Sequence, residues 1–443
     1  MNPPTLSTLA LLAALCIANA SADASASASA NANANANSDA AAPFIVGVAT
    51  HSMNNTGQPL RSLQMASAAG VTSIRDDAFW STAEPAAGQL QIVAPWRAWL
   101  STARALDLAP MVILGYGTSF QGNAKPRKPE VRIPYLKYVD YITRQLGNPV
   151  KFYEVWNEWD IEGPGDARLS NDYATLVRDV APVIRKNNPQ AIVLAGAVTT
   201  LGITSGFVDR IIAAGVMKYA DGLSLHPYVH CYGSDRNTPE SWIGWMRDLD
   251  RKITTKAGRA VPLYLTEMSW PSHEGNCGVS PQRQSAYLAR AYFLIRTLPN
   301  VKGMWWYDLI NDGDDRSDQE HNFGLLDSAL SPKPAYAVLK AISPYLRDFN
   351  YEPASSLQND GVYQLAFSVG REQIMVAWAS GRQREVSISA SAMKNQNVRV
   401  LDTLNPDKGM ADSRQQWVCK DDHCSTPVML TEFPKIIRLS PAT

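Results

Sequence analysis

The chain has no excess charge of either sign: 41 Lys and Arg balance 41 Asp and Glu over 443 residues. That balance gives no electrostatic reason to expect nucleic acid or an anionic membrane as the partner. No G-x-S-x-G, no Walker sequence and no well-placed G-x-G-x-x-G occurs, so serine-hydrolase and nucleotide chemistry have no support. Cysteines are few, five in all, and none falls in a CxxC motif or a Cys/His metal spacing, which argues against structural zinc. His226 and His230 are four apart but flank Pro227, which argues against a zinc pair on one helix face. The acidic stretch 311–320 lacks the glycine of an EF-hand loop and reads as a solvated rim loop. Neither a metal nor a cofactor is expected.

Long apolar runs are also scarce. Residues 6–17 form one, too short to span a bilayer as a mature helix and followed by small residues at alternate positions. Residues 1–22 therefore read as a signal peptide, although no Lys or Arg precedes the run, and periplasmic or secreted export is expected. Residues 23–42, largely Ala, Ser and Asn, have no large side chain to bury and read as a disordered linker. Beyond the signal stand Cys231, Cys277, Cys419 and Cys424, an even count that favours two disulfides in an exported chain. Cys419 with Cys424 would close a short loop, leaving Cys231 with Cys277.

From residue 43 onward short apolar runs alternate with amphipathic stretches, the pattern of βα units around a parallel sheet. Eight strands are expected at 44–48, 72–75, 111–114, 152–156, 192–195, 222–225, 263–266 and 304–307. Helices are expected at 134–146, 171–186, 239–256, 281–297 and 334–346, with Pro134, Pro239 and Pro281 in first turns and Ser280 as an N-cap. Eight such units within 43–346 predict a (β/α)8 TIM barrel. Past residue 346 the pattern turns to alternating strands at 362–369, 373–378, 385–388 and 398–401, which predicts a small C-terminal all-β, sandwich-like domain over 347–443.

Catalytic groups of such barrels sit at the C-terminal ends of strands. Two glutamates stand there: Glu158 after strand four, in the run 152–159, and Glu267 at the end of strand seven. A charge at the exit of an apolar strand is costly unless it faces a working cleft. Carboxylates facing each other across the barrel mouth suit retaining glycoside hydrolysis, one protonating the departing oxygen and the other attacking the anomeric carbon. That mechanism needs a separation of roughly 5–5.5 Å. It also needs an acid with a raised pKa, which burial and the anionic partner can supply. A surface rich in Trp and Tyr, 12 and 17 of them, suits a neutral, hydroxylated ligand such as a polysaccharide.

At these residues the sequence resembles the clan-A glycoside hydrolases, in which the acid/base follows an Asn at strand four and the nucleophile ends strand seven. Here these are Asn157-Glu158 and Glu267. Further matches are Arg75, the segment His226-Pro227-Tyr228, the segment Trp305-Trp306-Tyr307 and the stretch 323–336. The resemblance covers about residues 43–346 and is nearest to family 39 and to PslG-type hydrolases of bacterial exopolysaccharides. It implies a β-glycosidase working through a glycosyl-enzyme, endo-acting on exopolysaccharide, with an exo-acting β-xylosidase or a non-catalytic carbohydrate-binding scaffold as alternatives. Arg75 would orient the nucleophile, or else pair with Asp76 or Asp77. Asn157 would donate to the sugar 2-OH, and His226 and Tyr228 would bond around Glu267. Trp80, Tyr116, Trp159, Trp270 and Trp306 are candidate stacking subsites, with core packing as the competing role for each. A monomer acting on polysaccharide without a cofactor is expected.

Overall fold

A computed structural model describes residues 42–56, 58–233, 236–391, 396–413, 417–420 and 423–441. The expected signal peptide and nearly all of the expected linker lie outside the described residues. Eight parallel strands close into a barrel in chain order: β1 (Ile45–Ala49), β2 (Ser73–Phe79), β3 (Ala109–Gly115), β4 (Phe152–Val155), β5 (Ile192–Thr199), β6 (Gly222–His226), β7 (Leu263–Met268) and β8 (Val301–Trp306). The expected strands are all present, but β2 and β5 each run four residues further toward the barrel mouth than their apolar runs indicate. The reason is tertiary. Polar groups in those extensions are paired by neighbouring elements, as when the Asp76 carboxylate accepts from Thr50 and the Met53 amide.

The helices follow the sequence with one correction. Pro239 and Pro281 open their helices, Pro239–Ala257 and Pro281–Ile295, where a missing N–H costs nothing. Ser280 caps the second, accepting from the Arg283 amide at 3.1 Å. Pro134, by contrast, lies inside Pro129–Leu146. Pro129 starts that helix, and Pro134 is near enough to the start to remove only one early bond, while Tyr135, Tyr138 and Ile142 bury the face behind it.

The lower barrel interior is filled by Met111, Phe152, Leu194, Tyr264 and Trp305, contributed by five strands. Space there is tight: a Cβ on Gly47 would stand 2.3 Å from the Trp305 ring. One step up two of these strands, the inward residues become Glu154 above Phe152 and Thr266 above Tyr264, and on β2 Arg75 stands above Ser73, so a dry plug supports a polar layer.

After the last α-helix, Pro334–Asp348, the strands of the described residues pair antiparallel. One sheet is built on Val362–Val369, Glu372–Ala379, Lys435–Pro441 and Gln396–Asp402, and a three-stranded sheet pairs Arg384–Ser391, His423–Leu430 and Val418–Lys420. The Cys419–Cys424 disulfide links two paired strands of the smaller sheet, and Cys231–Cys277 joins the loops after β6 and β7, as the sequence suggests. Residues 44–443 form one compact unit. Leu365, Phe367, Val376 and Trp378 of the all-β region belong to the same apolar core as the barrel helices. Trp378 also donates to Glu240 at 2.8 Å, and Glu240 receives Arg290 at 3.2 Å.

Candidate active site

A cavity of about 360 Å³ opens at the C-terminal ends of the strands. Glu158 and Glu267 both line it, and an oxygen of one lies within 4.8 Å of an oxygen of the other. That places the pair on the close side of the two carboxylate geometries, the side without room for an intervening water.

Glu158 owes its position to a turn rather than to its strand. β4 ends at Val155, and Trp156 and Glu158 both adopt left-handed backbone, with φ of 66° and 47°. Such conformations cost on the order of 1–3 kcal/mol each unless the surroundings hold them. A bulge in β5 does so. Its register against β6 shifts between Ala195 and Val198, and the Glu158 amide donates to the displaced Ala197 carbonyl at 3.2 Å. Gly196, at φ 133°, makes the bulge possible, because a Cβ there would meet the Ser224 carbonyl oxygen at 2.2 Å.

Glu267 is held from two sides. Arg75 Nη1 donates to Oε1 at 2.7 Å, and the Tyr228 hydroxyl donates to Oε2 at 3.0 Å. Arg75 is itself anchored from below: Nε and Nη2 reach Glu154 Oε2 at 2.8 and 2.6 Å, and Nη2 reaches Asn157 Oδ1 at 2.7 Å. Burial works against the guanidinium charge, but Glu154 and Glu267 hold its pKa above the ordinary value. Of the two roles expected for Arg75, the geometry shows contact with the Glu267 carboxylate. Asp76 is occupied elsewhere, by Thr50, Met53 and the Asp77 amide.

His226, fully buried, bridges the carboxylates. Nδ1 lies 3.0 Å from Glu158 and 3.5 Å from Glu267, while Nε2 lies 3.2 Å from Thr266 Oγ1. Its principal partner is therefore Glu158 rather than Glu267. Burial alone would lower the His226 pKa, but the Glu267 charge and the bond to Glu158 raise it. The same contact corrects an expectation about Glu158. Burial pushes that carboxyl up, yet the His226 bond and the charges of His226 and Arg75 bring it below the ordinary range. The side chain of Glu158 is 26% exposed against 11% for Glu267, so Glu158 is the more open to an incoming group. Asn157 is committed on both ends, accepting from Arg75 and donating to the Tyr116 hydroxyl at 2.8 Å.

Of the five aromatic candidates only Tyr116 lines the cavity. Trp80, Trp159, Trp270 and Trp306 are at most 1% exposed and belong to the core, a correction to their reading as stacking subsites. Their indole N–H groups explain why burial is tolerated: each donates inward, to Glu84 and to the carbonyls of Leu169, Asn237 and Phe323 respectively. Sequence reasoning passed over Glu154, although an acid inside an apolar strand is as costly as one at its exit. It also passed over the wall contributed by His51, and noted Tyr307 and Phe323 only within segments of the resemblance, not as walls of the site. The loop read as a solvated rim supplies two more wall residues, Gln319 and Glu320.

Two groups of described residues bring three metal-competent atoms within 4.8 Å: Glu158, His226 and Glu267, and His51, Asp308 and Asp312. In the first, the carboxylates and the imidazole bond to one another, to Arg75 and to Tyr228.

No family model matches the chain. Among solved structures, a family 39 glycoside hydrolase from Bacteroides cellulosilyticus WH2 superposes with a TM-score of 0.73 at 24% identity, over 90% of this chain and 81% of that one. A monomeric β-xylosidase from Caulobacter crescentus CB15 gives 0.61 at 16% identity, over 91% and 98%. A GH30 endoxylanase from Clostridium papyrosolvens C71 gives 0.62 at 14% identity, over 90% and 97%. At these identities the likeness establishes the fold, a (β/α)8 barrel with a C-terminal all-β region, shared with glycoside hydrolases of two families.

Proposed function

We propose that the protein is a retaining glycoside hydrolase that cleaves β-linked glycosidic bonds by double displacement. The observation that carries this reading is the pair Glu158 and Glu267, on opposed strand ends, lining one cavity with oxygens within 4.8 Å. Glu267, oriented by Arg75 and Tyr228, is the nucleophile, attacking the anomeric carbon to form the glycosyl-enzyme. Glu158, more open and bonded to His226, is the acid/base: it protonates the departing oxygen and then takes the proton from the incoming water. In the free protein its carboxyl is held low by His226 and Arg75, so desolvation on substrate arrival is what raises it for the acid step, while neutralisation of Glu267 on glycosylation lowers it again for the base step.

The substrate is a polysaccharide outside the cytoplasm. The reading of residues 1–22 as an export signal and the two disulfides support that location. The resemblance to PslG-type hydrolases supports internal cleavage of a bacterial exopolysaccharide. Exo-acting β-xylosidase action is the second reading. It is favoured by a cavity near the lower end of ligand-site volumes (about 300–1,000 Å³) and by a wall at residues 319–323.

Reducing-end release from β-linked polysaccharides and from bacterial exopolysaccharide tests the reading. Wild type should release sugar. Glu267→Gln should be inactive on every substrate, whereas Glu158→Gln should retain turnover of activated aryl glycosides, whose leaving groups need no proton. Product lengths separate endo from exo action. Near-normal turnover by Glu267→Gln would remove the nucleophile assignment, and binding without release by wild type would favour a carbohydrate-binding scaffold.

A further inference from the structure

The cavity lining contains three carboxyls that the two-carboxylate reaction does not use, Asp76, Asp77 and Glu320, and Asp77 stands apart from the other two. Asp77 lies two residues beyond Arg75 on β2, on the same inward face, and lines the cavity beside Tyr116. Its neighbour Asp76 is saturated: Oδ2 accepts from the Thr50 hydroxyl and the Met53 amide, and Oδ1 from the Asp77 and Asn54 N–H groups. Asp77 is the opposite case. Its backbone is engaged, the amide by Asp76 and the carbonyl by Asn54 at 2.9 Å, but its Oδ1 is shut off from solvent with no hydrogen-bond partner. Neither oxygen of this carboxyl accepts a hydrogen bond among the described residues, and because Oδ1 is closed off from solvent, Oδ2 is the oxygen through which a ligand in the cavity would meet it.

The charges around it narrow the ligand. Arg75 is the only Lys or Arg among the described cavity-lining residues, and its N–H groups are already directed to Glu154, Glu267 and Asn157. Asp76, Asp77, Glu158, Glu267 and Glu320 all face or border the same space. Among the described lining residues no Lys or Arg is left over to receive an anionic sugar, and His51 lies against Asp312 at 3.5 Å.

We propose that Asp77 is a specificity-determining residue that accepts a hydroxyl of the sugar seated against Glu267, and that the cavity admits neutral glycones while rejecting uronides. The assignment rests on the hydrolase reading above and adds the substrate class to it.

The ionisation of Asp77 offers a readout that a purely structural role would not move. Burial raises its pKa from 3.8 to about 7, against the pull of Arg75 and with a push from Asp76. The other groups facing it are His51 beyond β1, Glu267 on β7, Tyr116 beyond β3 and the buried Tyr138 hydroxyl. A carboxylate accepts a sugar hydroxyl more strongly than the neutral acid does, so KM of the wild type should fall as pH rises through about 7.

The experiment uses the full chain and compares wild type, Asp77→Asn and Asp77→Ala. The substrates are 4-nitrophenyl β-D-xyloside, β-D-glucoside, β-D-galactoside and β-D-glucuronide, together with the β-linked polysaccharides. On whichever neutral substrate wild type turns over, Asp77→Ala should lose about 10- to 100-fold in kcat/KM, chiefly through KM. Asp77→Asn, which keeps size and one acceptor, should lose less and lack the pH dependence of KM. The glucuronide should be turned over at least about 100-fold more slowly than the best neutral glycoside. The assignment is overturned if Asp77→Asn keeps both KM and its pH dependence, or if the glucuronide is as good a substrate as the neutral glycosides. An active wild type with unaffected variants sinks this assignment alone, whereas an inactive wild type removes the hydrolase reading and this assignment together.

Discussion

Glu154 never meets the cavity, yet the site is built on it, and replacing it by Gln is a sharp perturbation. Its carboxylate is fully buried beneath the site. Oε2 takes two N–H groups of Arg75, which is itself only 3% exposed, and Oε1 accepts the Thr266 hydroxyl at 2.8 Å. Removing one partner of a buried ion pair costs about 3–5 kcal/mol when the other charge is stranded. Arg75 would not be fully stranded, because Glu267 still accepts from Nη1. A glutamine also has one acceptor where the glutamate has two. Its oxygen must serve Arg75, so its NH₂ faces Thr266, whose hydroxyl then has to turn away toward His226 Nε2. Retained pairing on one side and a reversed hydrogen bond on the other place the expected loss near 2–3 kcal/mol for Glu154→Gln. For Glu154→Ala, which abolishes all three bonds and opens a cavity, it is about 3–5 kcal/mol. Urea unfolding followed by tryptophan fluorescence and by far-UV circular dichroism measures both. A Glu154→Gln midpoint equal to wild type, with Glu154→Ala losing under about 1 kcal/mol, would refute the view that this pair anchors the site.

Two further predictions concern how the site is held. Gly196→Ala should destabilise by about 2 kcal/mol or more and depress turnover, because the new Cβ meets the Ser224 carbonyl and the bulge that anchors the Glu158 amide must shift; thermal melting together with kcat checks it. Replacing both Cys231 and Cys277 by Ser releases a cross-link 46 residues apart in sequence between the β6 and β7 loops. Loop-closure entropy sets the loss at about 4 kcal/mol at most. Guanidinium unfolding should show a clear drop in the double variant, and an unchanged midpoint would exclude a stabilising role.

How much could be read beforehand follows from the range of the forces involved. The eight strands and most helices were legible because apolar periodicity, first-turn prolines and the Ser280 cap act within a few residues. Glu158 and Glu267 were legible because an acid at the exit of an apolar strand is costly in any barrel, whatever surrounds it. The roles of the tryptophans were not. Trp80 and Trp270 are locally indistinguishable from stacking platforms, and only the inward acceptors on Glu84 and Asn237 make them core. The protonation of Glu158 was likewise out of reach, because it is set by His226, 68 residues away in sequence.

The sequence by itself thus determined the barrel, the all-β region behind it and the placing of Glu158 and Glu267 at strand ends, since each is encoded in local pattern or residue chemistry, while parity of count favoured two disulfides and the fold decided which cysteines pair. The tertiary structure alone decided which charges meet. Arg75 and Glu267 stand 192 residues apart, and Arg75 and Glu154 stand 79 apart. Electrostatic and hydrogen-bond energies depend on distances of a few ångströms that no linear spacing contains. The same closure left Asp77 facing a cavity with an oxygen unpartnered while its neighbour Asp76 was saturated, a difference between adjacent, chemically identical residues that exists only in the folded chain.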